Sequence, residues 1–175
     1  MKLDLATTEI ERRWVVPSNN ETWRTIYDSL VVYELMIKQA YIQMSDGDES
    51  TEWARIRLIN NNHGVLQFKS SRVGNGLVRD QSPEIAMTVD SAQAMIDRLP
   101  SIEKNRLIIR PRDGEDVEWA VDVYHGALTG LIVIEAEVPD LLHLPSECIV
   151  PNAIDVTSDF RYDNQYLAFS QEIPS

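Results

Sequence analysis

The chain has 175 residues and a mass of 20.0 kDa, with 43% hydrophobic and 25% charged residues, which suits one packed domain over 1–175 and excludes wholesale disorder. Sixteen Lys and Arg stand against 28 Asp and Glu, a formal net charge of -12, so the mean surface repels polyanions and speaks against non-specific nucleic-acid or anionic-membrane binding. The single cysteine, Cys148, excludes an internal disulfide and a CxxC metal motif, and neither a membrane span of ~18 apolar residues nor a signal-peptide core is present, so a soluble, cytoplasmic protein is expected.

In chain order, the first predicted strand is 7–16, closed by Pro17. Residues 22–30 read as a helix, with Trp23, Ile26, Tyr27 and Leu30 spaced i, i+3, i+4 and i+7. From Ile37 the texture changes to strands, predicted over 38–44, 52–59, 65–70, 77–88, 106–112, 117–124 and 131–138. The separators SDGDES, NNNHG, VGNG, RDGED and HGALTG are rich in turn-forming residues. A second helix is predicted over 90–99, with Ser91 in the cap region and Pro100 as its stop. Beyond Pro151, DVTSDFRYDNQYLA reads as a strand entry followed by a short helix. The fold class is α+β, with antiparallel strands in one large sheet.

Side chains alternate across a strand, so residues of equal parity share a face. Glu9, Glu11 and Arg13 oppose Ile10 and Trp14, Arg55 and Arg57 oppose Ile56 and Leu58, and Gln67 and Lys69 oppose Leu66 and Phe68. Lys104 and Arg106 fall together. Asp122 stands opposite Val121 and Val123, and Glu135 and Glu137 oppose Ile134, Ala136 and Val138. Two arrangements fit: an open sheet with a solvated outer face, or a barrel that gathers the charges in one lumen. Arg and Glu are suited to bidentate or metal contacts, and here they are sorted onto different strands, which favours the barrel. A polyanion bound with Mg²⁺ or Mn²⁺ would satisfy both sets of charges.

The charged elements also form an ordered series. EIERR at 9–13 is followed by Gln39-Ala40-Tyr41, by Arg55 and Arg57 in ARIRL, by VLQFK ending in Lys69, and by Lys104-Asn105-Arg106. Then come WAVDVYHGALTGLIVIEAEVP and DVTSDFRYDNQYLA. In this order, over residues 9 to about 168, the chain resembles the CYTH family, the triphosphate tunnel metalloenzymes. The resemblance implies an eight-stranded antiparallel closed or nearly closed barrel with flanking helices. It implies hydrolysis of inorganic, nucleoside or thiamine triphosphate with Mg²⁺ or Mn²⁺. By the same resemblance Glu9, Glu11, Asp122, Glu135 and Glu137 hold metal, while Arg55, Arg57, Lys69, Arg79, Lys104 and Arg106 hold phosphate. Glu9, Glu11 and Arg13 occupy the catalytic positions. The expected partner is a small-molecule triphosphate, with no nucleic acid and no membrane, and a homodimer remains open.

Three positions depart from the family pattern. Arg13 replaces the lysine of ExExK, which keeps the charge but cannot act as a general base near neutrality. Gln81 and Pro83 replace two glutamates after Arg79, and proline predicts an irregular strand there. Asp155 replaces a glutamate. These departures imply slow turnover and motivate a non-catalytic triphosphate or polyphosphate binder as an alternative; a class IV-type adenylyl cyclase is a further alternative within the resemblance, with no adenine-reading feature identified in the sequence. His63, His125 and His143 lack partners at metal spacing, and VGNG is too short for a phosphate loop. Cys148 reads as a buried thiol, Arg12 as solvated, and Trp14, Trp53 and Trp119 as packing on the barrel's exterior.

Overall fold

A computed structural model of the chain describes residues 7–28, 31–44, 52–109 and 115–175. The turn SDGDES, the helix end at Leu30 and the strand extension over 110–112 lie outside the described residues. Ten strands and three helices are present there: β1 (Thr7–Val15), α1 (Asn20–Asp28), β2 (Val31–Met44), β3 (Glu52–Ile59), β4 (His63–Ser70), β5 (Val78–Gln81), β6 (Ile85–Met87), α2 (Val89–Ile96), β7 (Ser101–Ile109), β8 (Glu118–Tyr124), β9 (Ile132–Val138), β10 (Ile154–Asp155) and α3 (Asn164–Ser170). Among the described residues, no helix is long and apolar enough to cross a membrane.

Eight strands run in the order β1-β5-β4-β3-β2-β7-β8-β9, and β9 returns to β1 through pairs from Ile10↔Val138 to Val15↔Val133. Closure makes an antiparallel barrel, with β6 beside β4 and β10 beside β1 as short additions. The period-two pattern places Glu9, Glu11 and Arg13 inside, while Trp14 faces out against Trp119 with ring centroids 5.7 Å apart. Ile26 of α1 joins Trp14, Trp119, Val121 and Ile134 in one exterior cluster, and Ala92 and Ile96 of α2 pack on Ala40, Ile56 and Leu58 in another. A third cluster joins Leu167 and Ala168 of α3 to Tyr41, Tyr124 and Leu128. The core therefore lies mostly around the barrel, which leaves the interior to polar side chains.

Several elements differ from the sequence expectation. Strand β2 begins at Val31 rather than 38, because VVYELMI pairs with β7 despite lacking clean alternation. Strand β7 begins at Ser101, directly after Pro100. The expected strand 77–88 is split into β5 and β6 around Ser82-Pro83-Glu84, since proline has no N–H for the ladder; Ser82 N instead donates to Phe68 O at 2.9 Å. Helix α2 is capped by Thr88, whose Oγ1 accepts from Ser91 N at 3.2 Å, so Ser91 donates to the cap. Arg12 is not simply solvated: it binds Asp155 at 2.7 Å and lies over Trp14. Cys148 is half-buried, and burial pushes its thiol up to about 11.

The turn VGNG joins β4 to β5, and its Gly76 has a φ of +83° beside the C-terminal segment. A Cβ there would stand 2.0 Å from Thr157 O. Gly76→Ala is expected to destabilise the fold by at least about 1–3 kcal/mol through backbone strain alone, plus the displacement of Thr157. Gly74→Ala, where the nearest atom is a Val78 methyl at 3.8 Å, should cost only about 1–2 kcal/mol. Equal urea midpoints for the two variants would contradict this packing.

Candidate functional site in the barrel lumen

The lumen holds a cavity of about 440 Å³. At one end the barrel opens beside Tyr33, Glu118 and Glu137; at the other, Asn164 of α3 meets its lining. Asn164 Oδ1 accepts from Lys104 Nζ at 3.1 Å and from the Tyr124 hydroxyl at 2.7 Å, which fixes the helix as a floor.

Two clusters of ion pairs form the lower wall. Glu9 accepts from Lys69 Nζ at 2.9 Å and from Arg79 Nε, with Arg72 at 3.5 Å. Burial pushes its pKa up, but Arg79, Lys69 and Arg72 outweigh burial and hold it well below the usual carboxylate range. In the second cluster, Asp122 accepts from Lys104 Nζ at 2.5 Å and from Arg106 Nε and Nη2 at 2.7 and 2.6 Å. Arg106 continues to Glu135. Burial lowers Lys104 to about 8 against the pull of Asp122. Lys104 and Asp122 are both sealed from solvent.

Above this layer the charges stop matching. Arg57 donates from Nε to Gln39 Oε1 at 3.0 Å and has no carboxylate partner among the described ion pairs. Burial, then Arg55 and Arg106, lower it to about 9, still protonated at neutral pH. Arg55 donates to Gln67 and reaches Glu84 at 3.4 Å. On the opposite wall, Glu11, Glu137 and Glu118 stand in register across β1, β9 and β8. Burial raises Glu11 further than Arg72 lowers it, with Glu135 and Glu9 adding to the rise. Burial likewise raises Glu137 to about 7, helped by Glu9, Glu11, Glu118 and Glu135. Cations crowd one side of the cavity and carboxylates the other.

Of the residues singled out from the sequence, Glu9, Glu11, Arg55, Arg57, Lys69, Arg79, Arg106, Glu135 and Glu137 line this cavity. Lys104 and Asp122 lie behind Arg106, outside the lining. Arg13 faces inward from β1, but its guanidinium turns to the floor. There it meets Asp163 at 2.6 Å, Tyr162 O at 3.1 Å and Thr157 O at 3.2 Å. Sequence reasoning missed Glu84, Glu118, Arg72 and Asp163. Glu118 shares parity with Asp122, so the period-two pattern carried a signal. Glu84 faces the cavity because the break at Pro83 shifts the phase, and Arg72 and Asp163 lie in turns without periodicity.

A hard divalent cation suits an all-oxygen donor set. Glu9 and Asp122 are already saturated by cationic side chains, whereas Glu137 forms no ion pair among the described residues; Glu11 and Glu135 beside it accept from Arg72 and Arg106 respectively. The donor chemistry on this wall fits Mg²⁺ or Mn²⁺, although the described residues contain no preformed group of three metal-ligating side chains.

No protein-family model matches the chain, and no curated protein matches it. Its fold matches solved structures. The inorganic triphosphatase NE1496 is 23% identical over 97% of this chain and 98% of that one, with a TM-score of 0.62. A conserved hypothetical protein from Pyrococcus furiosus is 17% identical over 75% and 79%, with a TM-score of 0.57. The putative adenylyl cyclase HpAC1 from Hippeastrum, described as having a dominant triphosphatase activity, is 16% identical over 75% and 80%, with a TM-score of 0.53. The barrel thus has the triphosphate tunnel fold of CYTH proteins.

The raised pKa of Glu137 makes a testable link to stability. An acid whose folded pKa lies above its unfolded value of 4.5 costs stability when ionised. That cost is absent below 4.5 and complete above about 7. Metal-free protein should therefore lose stability on this account between pH 5 and 8, and Glu137→Gln should flatten the slope. Because the carboxylate is partly solvated, the gain at pH 8 should be on the order of 1 kcal/mol. Urea unfolding of both proteins across that range measures it; an unchanged slope would show that the carboxylates do not interact.

Proposed function

We propose that the chain is a divalent-metal-dependent triphosphatase that draws a triphosphate-bearing substrate into the barrel. The observation carrying this reading is the unmatched charge in one cavity: among the described residues, Arg57 has no carboxylate partner on one wall, and Glu137 has no cationic partner on the other. A free polyanion would aggravate the carboxylates and a free cation the arginines. A metal–triphosphate complex answers both. The fold shared with a protein named as an inorganic triphosphatase supports the same reading.

In this proposal Arg55, Arg57, Lys69, Arg79 and Arg106 hold phosphate oxygens. Glu9 positions Lys69 and Arg79; Asp122, braced by Lys104, positions Arg106. Mg²⁺ or Mn²⁺ held by Glu11 and Glu137, with Glu135 beside them, would supply charge neutralisation on the phosphate oxygens and polarise the phosphorus. Attack of water on the terminal phosphorus breaks its anhydride bond. The guanidinium groups then stabilise the charge on the transferring oxygens without having to reorganise. Arg13 stays protonated, because burial is outweighed by Asp163, Glu11 and Glu135, so it cannot take the proton from water. Turnover is expected to be slow.

The placement of Arg13 also favours a second reading, a triphosphate binder without turnover. Free phosphate from inorganic triphosphate, ATP or thiamine triphosphate marks a hydrolase. Cyclic nucleotide with pyrophosphate marks a cyclase, and tight binding without either product marks a binder.

Arg57→Ala separates a binding role from a structural one. Loss of a charge-assisted contact is worth about 1.5–3 kcal/mol, so kcat/KM for inorganic triphosphate should fall roughly 10- to 150-fold. The unliganded variant should be no less stable, because the repulsion from Arg55 and Arg106 is relieved. Lost stability with unchanged kinetics would overturn the assignment.

A further inference from the structure

The two arginines of β3 have uncharged neighbours. Each faces a glutamine directly across the ladder, Arg57 opposite Gln39 on β2 and Arg55 opposite Gln67 on β4. Among the described residues, the other cations lining the tunnel pair with carboxylates of its wall: Lys69 and Arg79 with Glu9, and Arg106 with Asp122 and Glu135. Arg55 meets a carboxylate only at the rim, where Glu84 lies 3.4 Å away with a side chain 42% exposed.

The orientation of Gln67 is fixed by its two partners. A guanidinium only donates and a carbonyl only accepts, so Oε1 faces Arg55 Nη2 while Nε2 donates to Ser82 O at 2.9 Å. Ser82 is itself held, beside the break at Pro83: its N donates to Phe68 O at 2.9 Å, and its Oγ accepts from Phe68 N at 3.0 Å. Gln67 is buried. A chain of hydrogen bonds thus runs from the strand break to one nitrogen of Arg55. Gln39 repeats the device on Arg57, accepting from its Nε at 3.0 Å and donating to the Tyr41 hydroxyl at 3.0 Å.

An amide and a carboxylate differ in what they leave behind. Either can hold a planar guanidinium in one direction, but a carboxylate also cancels its charge. The amide leaves that charge whole, and burial accordingly pushes Arg55 below its usual value. A phosphate oxygen entering the tunnel would meet a full positive charge that is already aimed and needs no reorganisation. We infer that Gln67 is a positioning residue of the tunnel, an uncharged clamp that aims the Arg55 guanidinium at a phosphate oxygen without neutralising it. The inference rests on the tunnel being a triphosphate site.

Calorimetric titration of the full chain with inorganic triphosphate in the presence of Mg²⁺ tests it. Arg55→Ala should weaken binding. Gln67→Leu, which removes the clamp, should weaken it roughly 10-fold, the worth of one hydrogen bond to a charged group. Combined with Arg55→Ala, the same change should add less than about 2-fold, because the clamp then has nothing to hold. Gln67→Glu keeps a partner for Arg55 but cancels its charge, and should weaken binding at least ~10-fold; it also serves if Gln67→Leu does not fold. Wild-type affinity in Arg55→Ala or in either folded Gln67 variant would overturn the inference and leave the triphosphate reading standing. So would a Gln67→Leu loss equally large without Arg55, which marks packing alone. No binding by the wild type would overturn the triphosphate reading and the inference with it.

Discussion

Everything in this barrel depends on keeping charged side chains in its interior. Closing the sheet turns one face of each strand away from bulk water, and an isolated ion in that position costs several kcal/mol. The chain meets the constraint with two anchored clusters, Glu9 with Lys69 and Arg79, and Asp122 with Lys104 and Arg106. The first ties β1 to β4 and β5, strands distant in sequence, and the second ties the consecutive strands β7 and β8. Removing one partner would leave a buried charge exposed to its full desolvation cost.

Once those pairs are made, the surplus is uneven. Among the described residues, an unpaired cation remains on β3, at Arg57, and unpaired carboxylates on β8 and β9, at Glu118 and Glu137. Such stored electrostatic tension is common at binding sites, where a ligand supplies the missing charge. The apolar exterior, packed on α1 and α2, holds the walls apart and lets the tension persist.

The C-terminal segment has a double role. Asn164 closes the tunnel through Lys104 and Tyr124, while Asp163 pins Arg13 and Arg72 at the same level. Arg72 also reaches Glu9 and Glu11, so one guanidinium joins the tunnel wall to its floor. The arginine at position 13 becomes intelligible in this setting. Its planar, forked guanidinium holds Asp163 and two carbonyls in a fixed geometry, whereas a lysine's compact ammonium on a flexible stem imposes none.

Much of this was written in local pattern. The alternation EIERR, ARIRL and IVIEAEV put the right residues inside, because period two is a property of any strand and needs no knowledge of its neighbours. Pro83 announced an interruption by its missing N–H. The choice between an open sheet and a closed barrel was undecided by that pattern, because both expose the same faces; the pairing of β1 with β9 decided it. Pairing in space also separated residues that look equivalent in sequence. Glu9 and Glu137 are both alternating glutamates, but one is surrounded by cations and the other by carboxylates. Glu84, Arg72 and Asp163 were illegible because turns have no period, and only the folded chain brings residues 13, 72 and 163 to one point. Residue type and parity were thus determined locally, whereas charge balance depends on distances between strands far apart in sequence, which only the closed barrel sets.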